Sequence, residues 1–277
     1  MKTRSVNSAA KKLLVMELTT YRKLVRQNRV RPSENKIHKL RIQIQKFLAT
    51  LEIVASIENK YKLHELRATL AKTKKNTSHL RDLQVQFDFL KHREKKQLRF
   101  FKYYLKKRKL KKAKRTKKML SKVPLGDQAQ AVHLLAKNLE ASDNQKCRTQ
   151  AVNKMNGFVH SALQSFESTP WPKNQDKSKS LHAIRRKAKH LFYLGEAQRV
   201  IIGKTEVNLD QLKKIQATLG KIQNDQALIR NINKFFKKYN QQGHADVKEL
   251  KQLTSMNQKK LMSSVGSKLL RQEKWPN

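Results

Sequence analysis

Apolar residues in this chain recur at steps of three and four, and few helix breakers interrupt them. Leu14, Leu18, Tyr21 and Val25 mark one face of a helix. Arg31-Pro32-Ser33 stops it, and Ser33 or Asn35 is placed to cap the next. Ile37, Leu40, Ile44, Phe47, Leu48 and Leu51 form a second, broad stripe. Leu63, Leu66, Leu70, Leu80, Leu83, Phe87 and Leu90 form a third, interrupted by Thr73 and Thr77. A very basic fourth helix is expected from about Arg93 to Leu120, ended by Pro124-Leu125-Gly126. Further helices are expected over Asp127–Ser142, from Val152 to Phe166 (ended by Thr169-Pro170-Trp171-Pro172), around Leu181–Leu191, and from Leu209 to Ile232. A weaker one carries Val247, Leu250 and Leu261. With only 7 Gly and 5 Pro, a turn-rich β-sandwich or a βαβ nucleotide fold is not expected, and the expected fold class is all-α.

The two halves of the chain resemble each other. His38-Lys39-Leu40-Arg41 and His182-Ala183-Ile184-Arg185 share H-x-[LI]-R. Aligning the histidines matches Ile37 with Leu181, Ile44 with Ala188 and Glu52 with Glu196. Downstream, Leu80-Arg81-Asp82 matches Gln223-Asn224-Asp225 at nearly the same distance from its histidine. The expected architecture is a single domain over 1–277. It is built of half-repeats at about 9–124 and 127–270, two four-helix bundles related by a pseudo-twofold axis.

At about 100° per residue, His38 and Arg41 fall on a polar stripe beside the apolar face of their helix. His182, Arg185 and Lys189 do the same in the second half. If the stripes face each other, they form a basic channel for a linear anion. One H-x-x-R alone signifies only a solvated helix face; the duplication in register is what raises it above that. A metal reading fails, since no carboxylate stands at Glu-x-x-His spacing to either histidine and the surrounding cations oppose a metal ion.

Charge points the same way. With 64 Lys+Arg against 20 Asp+Glu the formal net charge is +44, and self-repulsion of that size calls for a polyanionic partner. Nucleic acid, acidic membrane and inorganic polyanions all qualify. Lys91–Lys118 alone holds 16 Lys and Arg against one acid, Glu94. Phe100, Phe101, Tyr103, Tyr104 and Leu105 are its expected apolar anchor, with the rest projecting from the core or lining the anion path. The lone Cys147 excludes a disulfide framework and a Cys-based zinc finger, and reads as a thiol in a reducing compartment. No apolar run suits a signal-peptide core or a membrane span, so a soluble, cytoplasmic protein is expected.

The doubled pattern is similar to that of the conserved histidine α-helical domain (CHAD) family. It comprises Ile37-His38-Lys39-Leu40-Arg41-Ile42 with Lys46, Leu181–Lys189, Ser78–Asp82, and Leu219-Gly220-Lys221-Ile222-Gln223-Asn224-Asp225. The likeness runs from about Ala9 to Leu270. It implies two helical bundles around a basic cavity and binding of inorganic polyphosphate, often at polyphosphate granules. Carried over by motif, it implies His38, Arg41, Lys46, His182, Arg185 and Lys189 as ligands, with Arg186 and Lys187 as further contacts. Asp82 and Asp225 would orient arginines or cap helices, since a carboxylate repels phosphate. Gln45, Leu48, His190 and Phe192 stand where the family carries cations, and Thr77-Ser78 replaces the first L-G, marking a divergent member.

Three other functional classes compete. Non-specific nucleic-acid binding through the 91–118 helix fits the charge, although no zinc-finger, RNP or KH signature and no base-stacking platform is present. An enzyme is not expected: there is no Walker loop, HExxH, GxSxG or Glu-x-Glu-x-Lys run, and scattered acids suit metal-dependent phosphoryl transfer poorly. No cofactor is expected. Membrane-surface binding lacks a sustained amphipathic stripe.

Overall fold

A computed structural model describes residues 5–57, 63–91, 98–141, 145–170, 178–239 and 245–270. Among them the chain forms nine helices and no strand: α1 (Val6–Val30), α2 (Glu34–Ile57), α3 (Leu63–Lys91), α4 (Arg99–Ser121), α5 (Leu125–Ala141), α6 (Gln145–Glu167), α7 (Ser178–Ile202), α8 (Leu209–Tyr239) and α9 (Ala245–Leu270). The all-helical expectation holds. No helix among the described residues is long and apolar enough to cross a membrane. The stop expected at Trp171-Pro172, the 92–97 stretch with Glu94, and the Cys147 side chain lie outside what is described.

Local chemistry sets the helix ends. Ser33, not Asn35, caps α2: its hydroxyl accepts from the Lys36 amide at 3.3 Å. Arg29 of α1 donates to the carbonyls of Leu120 (2.9 Å) and Val123 (2.7 Å), so a cation joins the backbone amides of Val123 and Leu125 on the carbonyls at and just past the end of α4. Gly203 closes α7 at φ 80°, a conformation that costs a side-chain-bearing residue, and its amide bonds to the Arg199 carbonyl at 2.9 Å.

Three apolar clusters hold the helices together. The first joins Leu14, Leu18 and Tyr21 of α1, Leu40, Ile44 and Phe47 of α2, Leu66 and Leu70 of α3, and Val132 and Leu135 of α5. The second joins Ala10 and Leu13 of α1, Ile53 and Val54 of α2, Met155 and Val159 of α6, and the inner faces of α7 and α8. The third joins Leu83 and Leu90 of α3, Phe101 and Leu105 of α4, Ile232 and Phe235 of α8, and Val247 and Leu250 of α9. Thus α2 contributes to two clusters, which explains its broad apolar stripe. The second half supplies the five helices its periodicity marks, one more than a four-helix bundle holds. The extra one, α5, packs back onto α1, so the break at Pro124-Gly126 is a turn inside a packing unit.

Helix α4 departs from expectation in two ways. Phe101, Tyr104 and Leu105 are buried as anticipated, but Phe100 and Tyr103 are 67% and 64% exposed, so the anchor is narrower than the aromatic run suggests. Nor does the far end project. Thr116 is buried and donates to the Asn76 carbonyl at 3.5 Å, Leu120 is buried in the first cluster, and Lys109 lies over the Phe87 ring at 3.9 Å. The helix therefore runs along α3, with Lys106, Lys107, Lys111, Lys114, Lys117 and Lys118 on its exposed side.

Candidate functional site

The first turns of α2 and α7 carry the two H-x-[LI]-R motifs, and α3 and α8 flank them. Ile37 and Leu40 on α2, and Leu181 and Ile184 on α7, are buried, which turns His38, Arg41, His182 and Arg185 toward the polar side. Arg41 is half-buried, and its Nη1 donates to the Lys74 carbonyl (2.7 Å), Thr77 Oγ1 (3.3 Å) and Ser78 Oγ (2.8 Å). The Thr77-Ser78 departure from the family pattern thus supplies two hydroxyl acceptors that hold the guanidinium.

Arg185 is held by α8 instead. Its Nη1 donates to Gln223 Oε1, and the Gln223 amide meets His182 Nδ1 at 3.0 Å. The guanidinium packs over Gly220, where a Cβ would lie 3.4 Å from Arg185 Nη2. Arg185 Nε is buried with no hydrogen-bond partner, a donor left over for something else.

These side chains act on one another across four helices. Burial, then Arg81, Lys189 and Arg41, holds His38 below the ordinary histidine value. Burial, then Arg186, Arg185 and Arg230, does the same to His182, with Asp82 opposing. Lys74 of α3 is lowered by burial and by Arg41 and Arg186. Lys189 is pulled down to about 7 by burial, then by Arg185, Lys74 and Arg41. Cations crowded together while losing water each disfavour protonation of the next. Three carboxylates act on these groups: Glu34 pairs with Arg81 at 2.9 Å, Glu52 opposes the fall at Lys74, and Asp82 acts on Arg41 and Arg185. Loss of water raises Asp82, while Arg41, His79, Arg230 and Arg185 draw it down. Asp225, its repeat counterpart, instead accepts from Asn257 of α9 at 2.9 Å.

Six of the eight motif residues therefore converge: His38, Arg41, His182, Arg185, Arg186 and Lys189. Two do not. Lys187 points away, its ammonium donating to the Ser165 carbonyl (3.0 Å) and Thr169 Oγ1 (2.8 Å) at the end of α6. Lys46 pairs with Glu196 of α7 at 3.6 Å. Motif spacing missed Lys74, Arg81 and Arg230, which join the cluster. Arg81 stands out in the sequence only as part of the Leu80-Arg81-Asp82 match, and nothing in the helical period singles out Lys74 or Arg230.

Just inside the cluster, α2 and α7 are clamped by crossed pairs. Lys46 of α2 meets Glu196 of α7, and His190 of α7 meets Glu52 of α2. Lys46 and His190 are equivalent positions in the histidine alignment, as are Glu52 and Glu196, so the contacts are reciprocal, as across a twofold axis. Burial is the largest influence on Glu52 and raises it, but His190 and Arg67 together hold it below the usual carboxylate value. Glu17 of α1 completes this layer: Gln43 donates to its carboxylate, and burial pushes it up to about 7, with Lys46 and Gln43 opposing and Glu196 adding to the rise.

The folded chain holds the Glu17 proton more tightly than the unfolded chain does, so stability falls as pH rises from about 4.5 to about 7 and is then level. Glu17→Gln removes that slope. The variant's melting temperature, relative to the parent, should be higher at pH 8 than at pH 4, by an amount worth roughly 1–3 kcal/mol. Thermal unfolding at the two pH values checks it.

Fold and site together define an all-helical protein with a cationic cluster gathered from both halves of its chain. The CHAD domain family model matches residues 24–231, and the chain belongs to that family. Among solved structures, the CHAD domain from the plant Ricinus communis superposes with a TM-score of 0.69 at 13% identity, covering 92% of this chain and 86% of that one. PptA from Streptomyces chartreusis superposes with a TM-score of 0.56 at 12% identity, covering 94% and 100%. At such identities the likeness is one of fold. A search of curated proteins found no sequence match.

Proposed function

We propose that this protein binds long-chain inorganic polyphosphate at the cluster headed by His38, Arg41, His182 and Arg185, and that it is a binder, not a catalyst. The observation that carries the reading is the convergence of Arg41, Lys74, Arg81, Arg185, Arg186, Lys189 and Arg230, which outnumber the carboxylates acting on them: Asp82, Glu34 on Arg81 and Glu52 on Lys74. An assembly so unbalanced is costly to fold alone and is relieved by an anion. Arginine forks onto phosphate oxygens, and lysine follows as a mobile point charge. Family membership supports the same ligand. In the cell, polyphosphate granules would present it at high local concentration.

The test is competition. Labelled long-chain polyphosphate, bound to the full chain, is challenged with duplex DNA, structured RNA or unlabelled polyphosphate at equal phosphate concentration. Polyphosphate should displace the label and nucleic acids should not. Equal displacement by DNA or RNA would transfer the assignment to non-specific nucleic-acid binding, with the exposed lysines of α4 as its seat.

Binding should also take up protons. A bound anion raises the pKa of each cation it touches, so affinity climbs as pH falls. Lys189, at about 7 in the free protein, regains its charge as pH drops from 8 to 6. His38 and His182, held below the ordinary histidine value, add theirs lower down. At constant ionic strength the affinity at pH 6 should exceed that at pH 8 by about tenfold, one proton's worth over one unit. Lys189→Arg, charged throughout, should flatten the upper part of the profile. Calorimetric titration reads both, and a flat wild-type profile would remove Lys189 and the histidines from the contact.

A further inference from the structure

We propose that Lys189 is a site of covalent acylation by acyl phosphates, small electrophiles such as acetyl phosphate whose phosphate docks on the surrounding cations. The inference rests on the reading of the cluster as a phosphate site. Lys189 lies one turn beyond Arg185 on the same face of α7. Arg185, Arg41 of α2 and Lys74 of α3 act on it electrostatically, and it acts on His38 of α2; the crossed pairs Lys46–Glu196 and His190–Glu52 hold α2 against α7 beside it. It is half-buried and forms no hydrogen bond or ion pair with any described residue. Of the nearby acids, Glu196 pairs with Lys46, Glu52 pairs with Arg67 and His190, and Asp82 acts on Arg41 and Arg185.

An amine with cations for neighbours and no counter-ion sheds its proton. An ordinary lysine at pH 7 is neutral about once in 2,500 molecules; Lys189, pulled down to about 7, is neutral about half the time. The neutral form is the nucleophile. Lower basicity weakens its attack and cancels part of that advantage. Docking of the reagent's phosphate on Arg41 and Arg185 adds to it by holding the carbonyl close. A net preference of about tenfold or more over surface lysines is expected.

In the step itself, the Lys189 Nζ lone pair attacks the carbonyl carbon and a C–N bond forms. The bond from that carbon to the phosphoryl oxygen breaks, and phosphate departs with the electron pair. The proton lost by nitrogen passes to the departing phosphate. Acetyl-lysine and inorganic phosphate are the products, with no oxidant or reductant involved. Acylation abolishes a positive charge at the middle of the cluster, so it would lower affinity for the polyanion.

The experiment incubates the full chain with acetyl phosphate and, in parallel, with the uncharged N-hydroxysuccinimide ester of acetic acid. Peptide mass spectrometry reads the initial acetylation rate at each lysine, and Lys189→Arg verifies the peptide assignment. With acetyl phosphate, Lys189 should react at least about tenfold faster than Lys106, Lys107 and Lys111 on exposed α4. With the uncharged ester the preference should shrink, and added inorganic phosphate should slow Lys189 selectively. A Lys189 rate equal to those of the α4 lysines, or the same preference with both reagents, overturns the proposal. Polyphosphate binding is measured on the same preparation. Retained binding with Lys189 unreactive overturns this inference alone. Selective acetylation without polyphosphate binding upholds it and overturns the polyphosphate reading.

Discussion

Raising the salt from about 50 to 200 mM should weaken polyphosphate binding by roughly 10³-fold. Polyphosphate is a flexible chain with about one charge per phosphate, so single-stranded nucleic acid is the nearer analogue, with a log–log slope of about −0.7 per neutralised charge. The cluster offers seven cations, Arg41, Lys74, Arg81 (shared with Glu34), Arg185, Arg186, Arg230 and Lys189, which is fully charged once the anion is bound. If all engage, the slope is about −5, and a fourfold change in salt gives the stated loss. Filter binding across a salt series measures the slope. A value near −1 would mean that only one or two of these side chains meet the anion, and the site as drawn would be wrong.

The second large effect separates residues that motif spacing treats alike. Arg41→Ala with Arg185→Ala should weaken polyphosphate binding by about 100-fold or more, two charge-assisted contacts at roughly 1.5–3 kcal/mol each. Lys46→Ala with Lys187→Ala should leave affinity within about threefold. Lys46 is committed to Glu196 and to the buried Glu17 layer, and Lys187 to the end of α6. The lysine pair should instead lower the melting temperature, because losing Lys46 leaves two carboxylates short of their cation. Binding at fixed salt and thermal unfolding of both double variants give the comparison. Equal losses of affinity would mean diffuse electrostatics and no built site.

Much of the architecture was legible from period alone. Apolar spacing located the helices because burying one face of each is the main gain available to a chain with so few turn residues. It misjudged α4, where Phe100 and Tyr103 look like core but stay exposed, since the stripe that meets α3 and α8 admits only Phe101, Tyr104 and Leu105. It also missed that α5 packs on α1. Helical period says which face is buried, never against what.

The site divides in the same way. Duplication of H-x-[LI]-R set His38 and Arg41, and His182 and Arg185, on the polar edge of two helices, and helix geometry alone requires that each pair share a stripe. Whether the stripes meet depends on how α2 and α7 pack, and packing brings Lys189 in, sends Lys187 outward and ties Lys46 to Glu196. Lys74 and Arg230 carry no local signal, because a cation on a helix surface looks the same in sequence whether it faces water or another cation. Only the fold creates the difference: crowding and loss of water make Lys189 a weak base, while Lys106 and Lys107 of α4 face solvent.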